Sequence, residues 1–223
     1  MKKIVSVLMI CVMALFVVLL LSFAGCGAQG TATSQTDVIT NGQTPAVDDY
    51  GFDLLDEAVT YYADIEVADY GTVTVVLDQS AAPVTAANFV NLAKSGFYDG
   101  LTFHRIMAGF MMQGGDPKGN GTGGSDIRIK GEFAANGHNN PISHERGVIS
   151  MARSRDFNSA SSQFFIMHAD GEFLDGQYAA FGYVTEGMEV VDAVCEAAKP
   201  TDNNGSIASE NQPVITKITI REE

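Results

Sequence analysis

Tryptophan is absent from the 223 residues, cysteine occurs three times, and basic side chains are outnumbered, 13 Lys+Arg against 27 Asp+Glu. Each scarcity excludes something. A formal net charge of −14 argues against a nucleic-acid partner, because holding phosphates needs a basic face and this surface repels a polyanion. The four histidines, His104, His138, His144 and His168, are scattered, and the closest pair, His138 and His144, has no third ligand at a recognisable spacing. No metal site is therefore expected. The glycine cluster from Gly119 to Gly124 lacks the following Lys-Ser/Thr and the strand-to-helix setting of a nucleotide-binding loop. Long apolar runs are missing too, except at the N-terminus.

There, Lys2 and Lys3 precede Ile4 to Ala24, in which only Ser6 and Ser22 are polar. A basic start, an apolar run and small residues make the pattern of a secretory signal peptide. Length does not separate a cleaved signal from an anchor, since about 20 apolar residues cross a bilayer. The ending, Ser22-Phe23-Ala24-Gly25-Cys26, resembles the lipobox of bacterial lipoproteins, with Phe23 where that family usually has Leu. The resemblance implies a signal peptide over residues 1–25 and a diacylglyceryl group on Cys26. An uncleaved transmembrane helix is the alternative. Both readings place the remainder outside the cytoplasm, held to the membrane, and without residues 1–25 its net charge is −16.

Residues 26–60 read as the lipidated cysteine and a flexible linker. Gly27 to Asp49 is mostly Gly, Ser, Thr, Gln, Asn and Pro, a coil spanning about 25 Å on average. Phe52, Leu55 and Val59 are spaced as a short helix or as further linker. With Cys11 in the signal and Cys26 lipidated, Cys195 stands alone and no intramolecular disulfide forms. It lies in an apolar stripe, as a small buried hydrophobe does.

From Tyr61 to the end the texture is that of short strands, expected at 63–67, 71–77, 102–106, 110–113, 147–151, 163–167, 180–184 and 214–220. In the second, Val73, Val75 and Leu77 share one face and Thr72 and Thr74 the other. In the last, Val214, Thr216, Ile218 and Ile220 alternate with Ile215, Lys217 and Thr219. Two helices interrupt them, one opened by Pro83 and closed by Gly96, the other running from Met188 to Lys199 and stopped by Pro200. Eight strands and two helices predict a mainly β fold, a closed eight-stranded antiparallel barrel capped by two α-helices, with an open sandwich as the alternative. The Gly- and Asn-rich stretch between Gly114 and Arg146 is too long for an ordinary connection and predicts a functional or disordered loop.

Phe103-His-Arg-Ile-Met-Ala-Gly-Phe-Met-Met-Gln-Gly-Gly-Asp116 and Ser161-Ser-Gln-Phe-Phe-Ile166 carry the most information. With Phe97-Tyr-Asp-Gly100, Gly147-Val-Ile-Ser-Met-Ala152, Phe173-Leu-Asp-Gly176 and Phe181-Gly182, they make residues 61–223 resemble the cyclophilin family of peptidyl-prolyl cis-trans isomerases. The resemblance implies the same eight-stranded fold, X-Pro segments of unfolded polypeptides as partners, and no cofactor. It implies Arg105, Gln113 and Phe110 as the catalytic group. Met111, Phe165 and Leu174 match the rest of the proline pocket, Gln163 a polar group that holds Arg105 and substrate backbone, and Ala152 the groove floor. Arg153, Phe173 and Tyr178 stand where many eukaryotic members have Asn, Trp and His. Without the indole N–H, cyclosporin binding is expected to be weak. His104 points to the opposite strand face from Arg105 and reads as a structural hydrogen-bonder.

That chemistry suits the residues. An X-Pro bond rotates slowly because resonance stiffens it, with a barrier of ~18–20 kcal/mol, and no nucleophile is needed to lower it. A donor that draws electrons onto the prolyl nitrogen, inside an apolar pocket holding the ring, suffices. The chain is accordingly expected to be a membrane-tethered isomerase assisting exported proteins. The rival is a module that binds proline segments, or a holdase, without turnover. A second rival, a Ser/His/Asp hydrolase, has little support, since none of the four histidines lies in a recognisable triad context.

Overall fold

The computed structural model describes residues 50–223; the expected signal peptide, Cys26 and the linker as far as Asp49 lie outside them. In chain order the elements are β1 (Tyr61–Val67), β2 (Gly71–Leu77), α1 (Pro83–Lys94), β3 (Thr102–Met107), β4 (Met111–Asp116), β5 (Val148–Met151), β6 (Phe164–Met167), β7 (Ala180–Glu186), α2 (Met188–Ala197) and β8 (Ile215–Glu222). One-turn 3₁₀ segments occupy Ala134–Asn136, Glu172–Leu174 and Ser209–Asn211. Every expected strand and helix is present within a few residues. Among the described residues no helix is long and apolar enough to cross a membrane.

The strands form one antiparallel sheet in the order β3-β4-β6-β5-β7-β2-β1-β8. It curls into a half-barrel and does not close, which corrects the expected closed barrel. Its edge strands meet only at one end, through the bridge between Thr102 and Val214 and the bonds Phe103 N to Pro213 O and Ile215 N to Leu101 O. Further along, the edge of β3 is taken by residues 205–207, with Ile106 N donating to Gly205 O at 2.8 Å and Ile207 N to His104 O at 2.9 Å. A strand edge satisfied by a loop has no groups left for β8.

The main core lies between the curled sheet and both helices, with Phe89 and Val90 of α1 and Val191 and Val194 of α2 buried in it. Pro83 opens α1 with its ring already at a helical φ, and Gly96, at φ +74°, follows its end in the left-handed conformation. Ala82 supplies no side-chain cap. The buried Glu132 does so from the long loop, accepting from Val84 N at 3.0 Å, Thr85 N at 2.7 Å and Thr85 Oγ1 at 2.6 Å. Phe89 then drives into the centre, its ring 5.2–5.4 Å from those of Tyr98, Phe164 and Phe181. Burying such a ring contributes about 2–3 kcal/mol. Cys195 is buried and unpaired on α2, where burial pushes its thiol up to about 12.

Two strand patterns differ from the expected alternation. Thr74 is buried because its hydroxyl donates to Asp64 at 2.8 Å, beneath Arg221, whose Nε also lies 2.8 Å from Asp64. In β8 the register against β1 shifts between Glu66 and Val67, leaving Thr216 as the extra residue of a bulge. A bulge moves one residue out of the two-residue period, so Ile215 and Ile218 both face the core. Residues 50–60 form no helix; Tyr50, Phe52, Leu55 and Val59 pack on the core, and Tyr50 Oη accepts from Lys130 N at 3.2 Å. The long loop is ordered by the buried Asp116, which accepts from the backbone N–H groups of Lys118, Asn120 and Gly121.

Candidate functional site

Four neighbouring strands align one row of side chains. Arg105 on β3 lies opposite Gln113 on β4, Gln113 opposite Phe165 on β6, and Phe165 opposite Ser150 on β5. Directly opposed residues of an antiparallel sheet point to the same face, so the row projects together. The turn between β3 and β4 carries Phe110 at the top of the row, and Gly109 there adopts φ +79°, which a side chain would strain. Phe110 thus begins just before the strand that was expected to contain it.

Arg105 is half-buried and held from several sides. Its Nε donates to Asn204 O at 2.7 Å and Nη1 to Gln113 Oε1 at 3.2 Å, while Nη1 and Nη2 lie 3.7 and 3.2 Å from the sulfurs of Met111 and Met107. The guanidinium carbon sits 6.0 Å from the Phe110 ring centre. Gln113 is oriented in turn: its Nε2 donates to Gln163 Oε1 at 2.9 Å, and Gln163 Nε2 donates to Gly123 O at 2.8 Å. Burial pulls the Arg105 pKa below its ordinary value, with Tyr178 and Asp202 opposing; a guanidinium starting so high stays charged.

Beside Arg105 opens a pocket of about 330 Å³. Met111, Phe165 and Leu174 are buried in its base and Phe110 is half-buried at one wall. Phe173, 68% exposed, lies against Phe110 with ring centres 5.5 Å apart and planes tilted by 32°, and Tyr178 meets Phe165 edge-on at 5.9 Å. Ala152 and Arg153 complete it. Ten of the eleven expected groove residues therefore line one pocket, and the eleventh, Gln163, lines an adjoining cavity. The set offers an apolar socket with one fixed cationic donor at its edge.

Two sequence expectations need correction here. His104 is 5% exposed, and neither ring nitrogen has a partner among the described residues, so it is not a structural hydrogen-bonder. Burial lowers its pKa, with Asp116 opposing and Arg105 assisting. His144, by contrast, does lie between an acid and a serine, Nδ1 2.8 Å from Asp175 Oδ1 and Nε2 2.9 Å from Ser150 Oγ. Ser150 is fully buried in β5, beneath the socket and out of a substrate's reach. The relay works as a support, for the His144 ring stacks on Phe165 with centroids 6.1 Å apart and planes 17° from parallel. No local spacing links His144 to Asp175 thirty-one residues away, so the sequence held no signal for this pair.

The model of the family described as cyclophilin type peptidyl-prolyl cis-trans isomerase/CLD matches residues 62–222. The chain belongs to the cyclophilin family. A peptidyl-prolyl cis-trans isomerase of Helicobacter pylori (strain J99) is 46% identical over 148 residues, 64% of this chain and 87% of the relative. Peptidyl-prolyl cis-trans isomerase B of Bacillus subtilis is 50% identical over 109 residues, 49% of this chain and 73% of its own. The crystal structure of a cyclophilin-type isomerase from Cryptosporidium parvum superposes with a TM-score of 0.64 at 29% identity, covering 74% of this chain and all but 1% of the other. A structure from that organism obtained in the presence of the dipeptide Ala-Pro gives 0.63 at 30% identity, covering 73% and 99%. Peptidyl-prolyl cis-trans isomerisation is the activity these cyclophilins share by name.

Proposed function

We propose that the Arg105 groove isomerises X-Pro bonds in exported proteins outside the cytoplasmic membrane, on a chain tethered by a lipid on Cys26. The observation that carries the site is the fixing of Arg105 by Asn204 and Gln113 at the edge of the Phe110, Met111, Phe165 and Leu174 socket. The socket takes the proline ring. As the C–N bond twists, the prolyl nitrogen becomes pyramidal and gains a lone pair, and Arg105 donates to it through an N–H not spent on Asn204 or Gln113. The Gln113–Gln163 relay holds that donor still and offers polar groups to the substrate backbone.

The magnitudes are compatible. Going from tens of seconds to milliseconds is about four decades, or roughly 5.5 kcal/mol of barrier. A charge-assisted hydrogen bond contributes ~1.5–3 kcal/mol in ordinary settings and more where its donors are fixed in advance. The remainder comes from the socket, which holds the ring while the preceding carbonyl swings.

The cellular part of the proposal is supported by the apolar run Ile4 to Ala24 and the small residues before Cys26. Phe173, lacking an N–H, supports weak cyclosporin binding. The test of activity is exchange NMR on a short X-Pro peptide with the soluble domain: acceleration is expected, and Arg105→Ala should lose most of it while keeping the fold. A binding module without turnover would leave the exchange rate untouched while still shifting the peptide signals. For the tether, Cys26→Ser should release the protein or block its maturation; full-length protein retained in membranes would favour a transmembrane helix.

A further inference from the structure

The proline pocket shares a wall of Gln113, Ala152 and Arg153 with a second cavity of about 280 Å³. Beyond that wall the lining changes character. It is polar throughout, with Ser125, Ser159 and Ser161 beside two arginines, Arg128 and Arg153, and it includes no carboxylate and no apolar side chain larger than Ala152. In a chain with 13 basic and 27 acidic side chains, two cations around one cavity without an acid run against the overall composition.

The two arginines are differently prepared. Arg153 is fixed: its guanidinium carbon lies 5.1, 4.9 and 4.6 Å from the ring centres of Phe133, Phe157 and Tyr178, and it donates to Gln177 O and Ser154 O, each at 2.9 Å. Arg128 is exposed. Among the described residues neither takes part in an ion pair. Asp126 and Asp156, close by in sequence, are exposed and outside the lining.

We propose that this cavity selects an acidic side chain of the bound segment, within a few residues of the X-Pro pair, and that Arg128 and Arg153 determine the preference. The inference rests on reading the Arg105 groove as the site of isomerisation. Consecutive residues of an extended peptide are about 3.3–3.6 Å apart, so a neighbour of the X-Pro pair reaches over the shared wall. A Glu or Asp arriving there finds charge-assisted donors and serine hydroxyls. A lysine meets two like charges. The caged Arg153 has already given up its rotamer freedom, so pairing costs it little further entropy.

The experiment is exchange NMR on peptides in which Glu, Gln or Lys is placed at each of three positions before and after an Ala-Pro pair. At one position the Glu peptide should exceed its Gln counterpart in kcat/KM by roughly fivefold, with the advantage shrinking as salt rises. Arg128→Gln should abolish most of that advantage while leaving the Gln peptide within about twofold of its original rate, and Arg128→Glu should move the preference toward Lys. Equal rates for Glu and Gln peptides at every position, with the Ala-Pro control still accelerated, would overturn the inference and leave the isomerase reading standing. A control peptide that is not accelerated at all would overturn both.

Discussion

Arg105 Nη1 reaches Gln113 Oε1 across the β3–β4 pair at 3.2 Å, and Gln113 is itself held by Gln163 at 2.9 Å. The side chain that carries the charge is thus aimed by one that carries none. Gln113→Leu removes the acceptor and the relay together while leaving the apolar socket intact. Given ~1.5–3 kcal/mol for a hydrogen bond to a charged group, kcat/KM should fall by about one to two decades, read by exchange NMR on an X-Pro peptide. An unchanged rate would mean that Asn204 and the methionine sulfurs alone position Arg105.

Glu132 and Thr85 are 47 positions apart, yet the carboxyl group caps α1 where Ala82 cannot. Glu132→Ala leaves two backbone N–H groups and one hydroxyl without their acceptor. The expected loss is about 2 kcal/mol or more, measured by urea unfolding. Glu132→Gln, which keeps an acceptor oxygen, should lose less. Equal stability of the alanine variant and the parent would refute the capping role.

That cap also shows where reading the sequence stops. The strands announce themselves because alternation is local, as at Val73, Val75 and Leu77, and α1 does so through Pro83 and the spacing of Ala86, Phe89, Val90 and Ala93. The groove residues were legible through the run from Phe103 to Asp116, whose hairpin register puts Arg105 opposite Gln113. What was not legible depends on partners distant in sequence. The bulge at Thr216 exists only against Glu66 and Val67, and the barrel stays open because residues 205–207 occupy β3. His144 gains meaning only when the fold brings it to Asp175 and Ser150. His104, expected on the face away from Arg105, sits instead at a bulge in β3 and lines one cavity together with Arg105 and Gln113, and its ring nitrogens make none of the expected hydrogen bonds among the described residues.

Phe173 stands 68% exposed against Phe110 at the rim of the socket. Replacing it by tryptophan keeps an aromatic wall and adds an N–H donor. One neutral hydrogen bond contributes ~0.5–1.5 kcal/mol, so Phe173→Trp should tighten cyclosporin binding by about two- to tenfold in calorimetric titration. The peptide exchange rate should change little. Parent protein that binds cyclosporin as tightly as the tryptophan variant would show that the donor is immaterial here.

His104 and His144 make the fold sensitive to acid in the same direction. Burial holds both imidazoles below their ordinary value of 6.5, Asp116 opposing this at His104 and Asp175 at His144. The folded protein therefore keeps them neutral where the unfolded chain begins to take up protons. Because the unfolded state binds more protons, stability is fully present above about pH 6.5 and falls as pH drops through that value toward the lowered folded pKa, by at most about 1.4 kcal/mol per pH unit for each histidine. Urea midpoints measured from pH 7.5 to 5 should decline accordingly. His144→Gln, whatever its effect at neutral pH, should flatten that slope by up to about half and leave His104 responsible for the rest. Carboxylates contribute a separate loss further down: burial works against ionised Asp116 and Asp175, but the hydrogen bonds they accept hold both below the usual carboxylate value of 3.8. A midpoint that stays level between pH 7 and 5.5 would show that the two rings are protonated without cost in the fold.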